Sequence, residues 1–253
     1  MAGSCSHPRM PWDFWLIFVV LGVILPWRGR VRLRKLLAIP HVSRRERLSL
    51  YASTIAFQWI MVGMVAWRAW VHGYTATELG LVSYGKSRVL LAGMVGAATL
   101  ALLQWLNLRR MGRLSTPARG LLQSLAERIF PQSRTEMLPY CVLAVTAGVC
   151  EEFLYRGFAM AVFIRVRLPA WQAVVISSFL FGLAHVYQGR GGAVGTTLLG
   201  ALFGAARIGY HSLVPAASWH TAVDLVAGVA GPRYLTRSLN PGSKPENGSE
   251  IIV

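Results

Sequence analysis

The chain has 253 residues, 54% of them hydrophobic and only 14% charged, with a mean hydropathy of +0.46. A soluble domain is about a quarter charged, so the composition excludes an ordinary water-soluble core and points to the bilayer as the solvent. The 26 Lys and Arg against 10 Asp and Glu give a net charge of +16, a balance that elsewhere signals nucleic acid.

In chain order, the predicted elements are apolar helices separated by polar or basic loops. The first apolar segment runs from Trp12 to Trp27 and leads into a cationic block of Arg28, Arg30, Arg32, Arg34, Lys35, Arg44, Arg45 and Arg47. It has no small-residue cleavage site and reads as a retained helix. The second segment, Leu50 to Val71, carries Trp59, Trp67 and Trp70 as an aromatic belt does. A polar loop with Thr75, Thr77, Glu78, Ser83 and Gly85 precedes the third, Val89 to Leu108. A second cationic block follows, Arg109, Arg110, Arg113, Arg119, Arg128 and Arg134, with Pro117 and Pro131 among it.

The run from Met137 to Val166 is too long for one ordinary span and is read as two helical pieces or one long tilted helix. Trp171 to Val186, Gly192 to Arg207 and Leu213 to Ala230 complete the set. The expected fold is all-α, a polytopic transmembrane bundle of seven or eight spans with the site inside the bilayer. It forms a single membrane domain over 1–238, followed by a Pro/Gly/Ser/Asn-rich tail, 239–253, expected to be disordered.

Fourteen of the 26 cations fall in the two blocks, where the positive-inside rule places them, and alternation of spans brings both blocks to the same side. They are expected to lie against an anionic leaflet, so the bilayer is the expected partner and nucleic acid is not. In a seven-span count Arg165 and Arg167 fall on the opposite face. Gly200 and Gly204 form a G-x-x-x-G, read as internal helix packing rather than as a dimer seam. Cys5, Cys141 and Cys150 contain no C-x-x-C, so neither a disulfide framework nor a thiolate metal cage is expected.

An ionisable residue at mid-bilayer costs about 2.5–3.5 kcal/mol on insertion scales, which makes each one a functional hypothesis. Glu151 and Glu152 lie side by side in an apolar run and Arg156 follows. On a helix Glu152 and Arg156 share a face and pair, leaving Glu151 pointing about 100 degrees away. Taken alone, the pair fits a wetted loop-end salt bridge equally well. Two further segments favour a site: His185 follows Phe181 by one turn, and His220 and Asp224 stand at i and i+4. If the three segments converge, a carboxylate, two imidazoles, an acid–guanidinium pair and an Asp meet in a water-poor cavity suited to proton transfer on a peptide bond. His7, His41, His72 and His211 lie in loops or flanks and are given no role.

The ordered motifs E-E-x-x-x-R (Glu151, Glu152, Arg156), F-x-x-x-H (Phe181, His185) and H-x-x-x-N/D (His220, Asp224) resemble those of the CPBP intramembrane proteases, which include the CAAX prenyl endopeptidases and the Abi-type proteins. The resemblance covers roughly residues 137–230. It implies a glutamate-dependent endopeptidase in which Glu151 activates water with help from His185, and Glu152 and Arg156 hold the site together. His220 and the residue at 224 would polarise the scissile carbonyl and stabilise its oxyanion. Phe181 and Tyr155 are the expected substrate-pocket aromatics.

Many members have Asn at the last motif position. An ionised Asp224 cannot donate to an oxyanion, so either Asp224 is protonated or, the preferred expectation, it orients His220. No metal or other cofactor is expected; zinc on one carboxylate and two His is the alternative, though no H-E-x-x-H is present. There is no G-x-S-x-G, and the only two Asp are Asp13 and Asp224, so serine and paired-aspartate mechanisms lack their parts.

The expected substrate is a membrane-embedded or lipidated protein or peptide entering laterally. The 23 Arg to 3 Lys hint at a GC-rich bacterial genome, hence a bacterial inner membrane and a matured peptide, a sensor or a sorting anchor. A catalytically silent scaffold or immunity protein of the same fold, or a proton-coupled transporter, is the alternative function.

Overall fold

The computed structural model describes residues 10–114 and 116–236, and every regular element among them is helical. The tail at 239–253 lies outside the described residues. The helices are α1 (Trp12–Ala38), α2 (Arg44–Val71), α3 (Lys86–Met111), α4 (Thr116–Ile129), α5 (Arg134–Arg165), α6 (Ala170–Ala184), α7 (Gly189–Tyr210) and α8 (Val214–Leu235). Five are long and apolar enough to cross a membrane: α1, α2, α3, α5, and α7 with the turn that precedes it. The protein is therefore an integral, multi-pass membrane protein. The short α6 is apolar but has only 15 residues.

The Met137–Val166 ambiguity resolves as one continuous helix. α5 runs 32 residues without a break, about 48 Å at 1.5 Å per residue, and loosens into a π-helical stretch at Phe153–Ala159. π turns are rare and concentrate at functional sites; this one begins directly after Glu152.

Small residues set the seams. α7 packs on α6 through Gly200, where a Cβ would meet Phe181 and the Cα of Ser178 at 3.2 and 3.3 Å, and through Gly204 against Val174 at 3.0 Å. The G-x-x-x-G is thus an internal seam, used as small residues are in membrane bundles. α8 packs along α3 and α5: the Trp219 indole donates to Ala92 O at 2.9 Å, and Gly148 of α5 leaves room for Thr221.

Several arginines of the two basic blocks are structural ties rather than solvated loop charges. Arg47 is buried against Glu136 at 3.0 Å and also donates to the carbonyls of Val42, Glu127 and Arg128. Arg128 in turn donates to Leu36 O and Ile39 O, and the Tyr51 hydroxyl donates to Ile129 O. Together they fasten α4 across the arginine-rich end of the bundle, satisfying helix-end carbonyls that would otherwise lack partners.

At the opposite end, Arg165 is the wrong-side cation of the span count, and its charge is answered locally. It binds Glu78 at 2.8 Å and donates to His72 O and Gly73 O, with its guanidinium 3.7 Å from the Tyr74 ring. Arg207 donates to Glu78 O at 2.7 Å and Leu213 N to Gly80 O at 2.9 Å, so the 72–85 loop is latched to three helices, with Leu79 buried beneath it.

Burial works to raise the Glu78 pKa, but hydrogen bonds from Thr75 and Arg165 outweigh it and hold the carboxyl below its ordinary 4.5. A depressed folded-state pKa contributes stability that is complete above the unfolded value and is lost as pH falls through the folded one. The loop should therefore stay docked at neutral pH and loosen only below about 4.5. In Glu78→Gln that acid step should vanish, as hydrogen exchange at the Leu79 and Gly80 amides across pH 3–6 would report.

Candidate active site

Glu151 and Glu152 lie near the middle of α5, His185 at the end of α6, and His220 and Asp224 in the middle of α8. Three separate helices thus deliver side chains to one point. The Arg156 Nη1 donates to Glu152 Oε1 at 2.8 Å with both residues fully buried, the i,i+4 pairing expected from the helix face. The guanidinium sits 4.2 Å from the Phe181 ring centroid, a cation–π contact in a desolvated setting.

The same Glu152 Oε1 accepts from His220 Nδ1 at 2.9 Å. A carboxylate can only accept, so Nδ1 carries a proton and Nε2 faces outward. Phe203 stacks on the His220 imidazole at 5.7 Å between centroids and Phe181 meets it edge-on at 5.6 Å, so the ring is fixed on two sides. Asp224 reaches Nε2 only at 3.6 Å, beyond hydrogen-bond range. The orienting contact for His220 comes from Glu152, where the sequence pointed to Asp224: one turn of α8 spans the i,i+4 pair, but α5 brings the other carboxylate closer.

His185 Nδ1 lies 2.8 Å from Phe181 O. The carbonyl accepts, so this nitrogen also carries its proton, and in the neutral ring Nε2 is left as a lone pair. It stands 3.8 Å from Glu151 Oε2. The other Glu151 oxygen accepts from Gln58 Nε2 at 2.8 Å. Glu151 is thus the acid outside the Glu152–Arg156 pair, held by one oxygen and with the other facing an imidazole.

Gln58 is a site residue the motif reading missed. It sits on α2, in the half of the chain where only hydrophobicity had been noted, and it is buried. A lone Gln within the apolar Leu50–Val71 run was the available signal, because buried amides in a span need partners. Phe181 and Tyr155, expected in the substrate pocket, are instead both 2% exposed. Phe181 is the shared floor of Arg156, His185 and His220, and Tyr155 packs on it at 5.2 Å. Both rings therefore position other side chains, since sealed packing leaves them no open surface.

Several polar atoms here make no hydrogen bond within the described chain: Glu151 Oε2, Glu152 Oε2, Gln58 Oε1, Tyr155 OH, and Nε and Nη2 of Arg156. Such a concentration is unusual for a purely structural core. For a metal the donors are arranged poorly. Among the described residues no three His, Cys, Asp or Glu side chains group so as to hold a metal ion.

Residues 133–226 match the family model described as type II CAAX prenyl endopeptidase Rce1-like. No curated protein and no solved structure matches the chain significantly. The matched segment contains all three motifs and the whole set of convergent side chains apart from Gln58, and over that segment this multi-pass membrane protein is similar to the CPBP/CAAX protease family.

Proposed function

We propose that the protein is an intramembrane endopeptidase of the glutamate-dependent kind, hydrolysing a peptide bond in a membrane-anchored or lipidated protein or peptide. The observation that carries this reading is Glu151 Oε2, without a hydrogen bond among the described residues and facing His185 Nε2 at 3.8 Å, a gap that suits a water held between two acceptors. Glu151 takes a proton from that water as the oxygen attacks the scissile carbonyl, and later returns it to the departing amine. In its protonated form His220 presents Nε2–H outward, the donor assigned to the developing oxyanion. Glu152 and Arg156 keep that ring in place.

Supporting an intramembrane location, Glu151 lies about halfway along the 32-residue α5. With α6 and α8 added to the five long apolar helices, the chain makes seven crossings, and the arginine-rich ends of α1, α2 and α3 fall on the cytoplasmic side of a bacterial inner membrane. The mechanism is metal-free, a reading supported by the placement of the described His, Cys, Asp and Glu side chains, no three of which group to hold a metal ion.

The test compares membrane-protein termini in cells carrying wild type or Glu151→Gln. A terminus produced only with wild type supports the reading, and identical termini at equal protein levels overturn it. Chelator-treated, metal-depleted protein should retain full cleavage of the substrate so identified; activity restored only by zinc would overturn the metal-free mechanism. Gln58→Leu should lower kcat about tenfold with KM unchanged, since general-base geometry rather than binding is lost. Steady-state kinetics on the same substrate would show the split.

A further inference from the structure

A recess of about 350 Å³ opens between α1 and α2 at the arginine-rich end, lined by Arg32, Leu36, Arg45, Glu46, Ser49, Leu50 and Ser53. Arg32 is held there in one pose: Nη1 donates to Thr54 Oγ1 at 3.2 Å and Nη2 to Ser53 Oγ at 2.8 Å. Its remaining polar contact is Nη2 to Leu50 O at 3.5 Å. All of these partners are neutral. Among the described residues neither Arg32 nor Arg45 enters a salt bridge. The one acid on the rim, Glu46, is occupied: Oε2 accepts from Ser43 N at 2.8 Å and Ser43 Oγ at 2.7 Å in the α2 capping box.

Two guanidiniums without an ion-pair partner and two hydroxyls therefore surround a cavity whose single carboxylate, Glu46, is turned to the α2 cap, leaving a net positive charge. The surface that continues from it is apolar. Ser49, Ser53, Ala56 and Ile60 follow one another at helical spacing, all exposed, with Ile60 67% exposed. This stripe is polar for its first two turns and hydrocarbon-like beyond, matching a phospholipid's headgroup followed by its acyl chains.

We propose that this recess is a binding site for the phosphate headgroup of an anionic phospholipid, with Arg32 and Arg45 on the phosphate and the acyl chains lying along Ala56 and Ile60. Basic pockets between spans at the cytoplasmic side are suited to such headgroups. The continuing apolar stripe is what distinguishes a lipid phosphate from a free one.

The test uses the full-length protein in detergent, with phosphatidylglycerol and phosphatidylcholine of identical acyl chains as probes and bound lipid counted by native mass spectrometry. Phosphatidylglycerol should bind at least tenfold tighter. Arg32→Gln and Arg45→Gln should each weaken it about fivefold, the effect of one arginine at a membrane surface, leaving phosphatidylcholine unchanged. Arg109→Gln/Arg110→Gln, in the other basic block, should retain the preference. The Arg45 side chain makes no hydrogen bond among the described residues, so Arg45→Gln keeps the test decisive if Arg32→Gln folds poorly. Equal binding of the two lipids, an equal loss in the Arg109/Arg110 variant, or displacement by millimolar inorganic phosphate as effective as by phosphatidylglycerol would each overturn the proposal.

Discussion

Glu151→Gln is expected to accumulate and fold as wild type does while cleaving about 10²–10⁴-fold more slowly, the range associated with loss of a general base. The substitution is nearly isosteric. A glutamine at 151 keeps an oxygen for Gln58 Nε2, which now donates to Glu151 at 2.8 Å, so packing is preserved and only proton acceptance is lost. A silent scaffold or a structural role for the acid predicts no change in turnover, whereas the protease reading predicts near-complete loss. Single-turnover kinetics on a substrate found from changed termini, alongside thermal melting in detergent, separate the two.

The second large effect concerns stability. Arg156→Met should destabilise the protein by about 3–5 kcal/mol, because removing one partner of a fully buried pair strands the other charge. Glu152 would lose its 2.8 Å contact with Arg156 while remaining 0% exposed, with only His220 left to answer it. Combining Arg156→Met with Glu152→Gln should recover much of that loss, since a buried pair replaced by neutral groups is often tolerated. Activity should not return, because His220 Nδ1 loses its carboxylate partner. Melting temperatures of the single and double variants would check the ordering; an Arg156→Met protein as stable as wild type would refute it.

Much of the candidate site was legible before any coordinates. Glu151, Glu152, Arg156, His185, His220 and Asp224 stand out because charge and imidazole are costly in apolar helices, and the i,i+4 pairing of Glu152 with Arg156 follows from helix geometry alone. Their convergence depended on helices up to 68 residues apart packing together, which local periodicity does not encode. The same gap explains why the role of Gln58 was hidden: the lone Gln in an apolar run is visible, but its partner lies 93 residues away and nothing in the pattern of α2 identifies that partner. The tautomers of both histidines likewise follow from contacts to Phe181 O and Glu152 that only the packed bundle creates.

The fold divides along the same line. Hydropathy along the chain was enough to establish a membrane protein built of helices with its cations gathered at one end, because burial of apolar residues in lipid is a local, additive property. It did not show α5 as one continuous helix with a π-helical stretch after Glu152, nor the assignment of Arg47, Arg128 and Arg165 to hydrogen-bonded ties between distant segments. The arginine ties rest on long-range hydrogen bonds to helix ends and to Glu136 and Glu78, which form only once distant segments meet. Residue type determined where charge was costly, and tertiary packing decided which partner answered each charge.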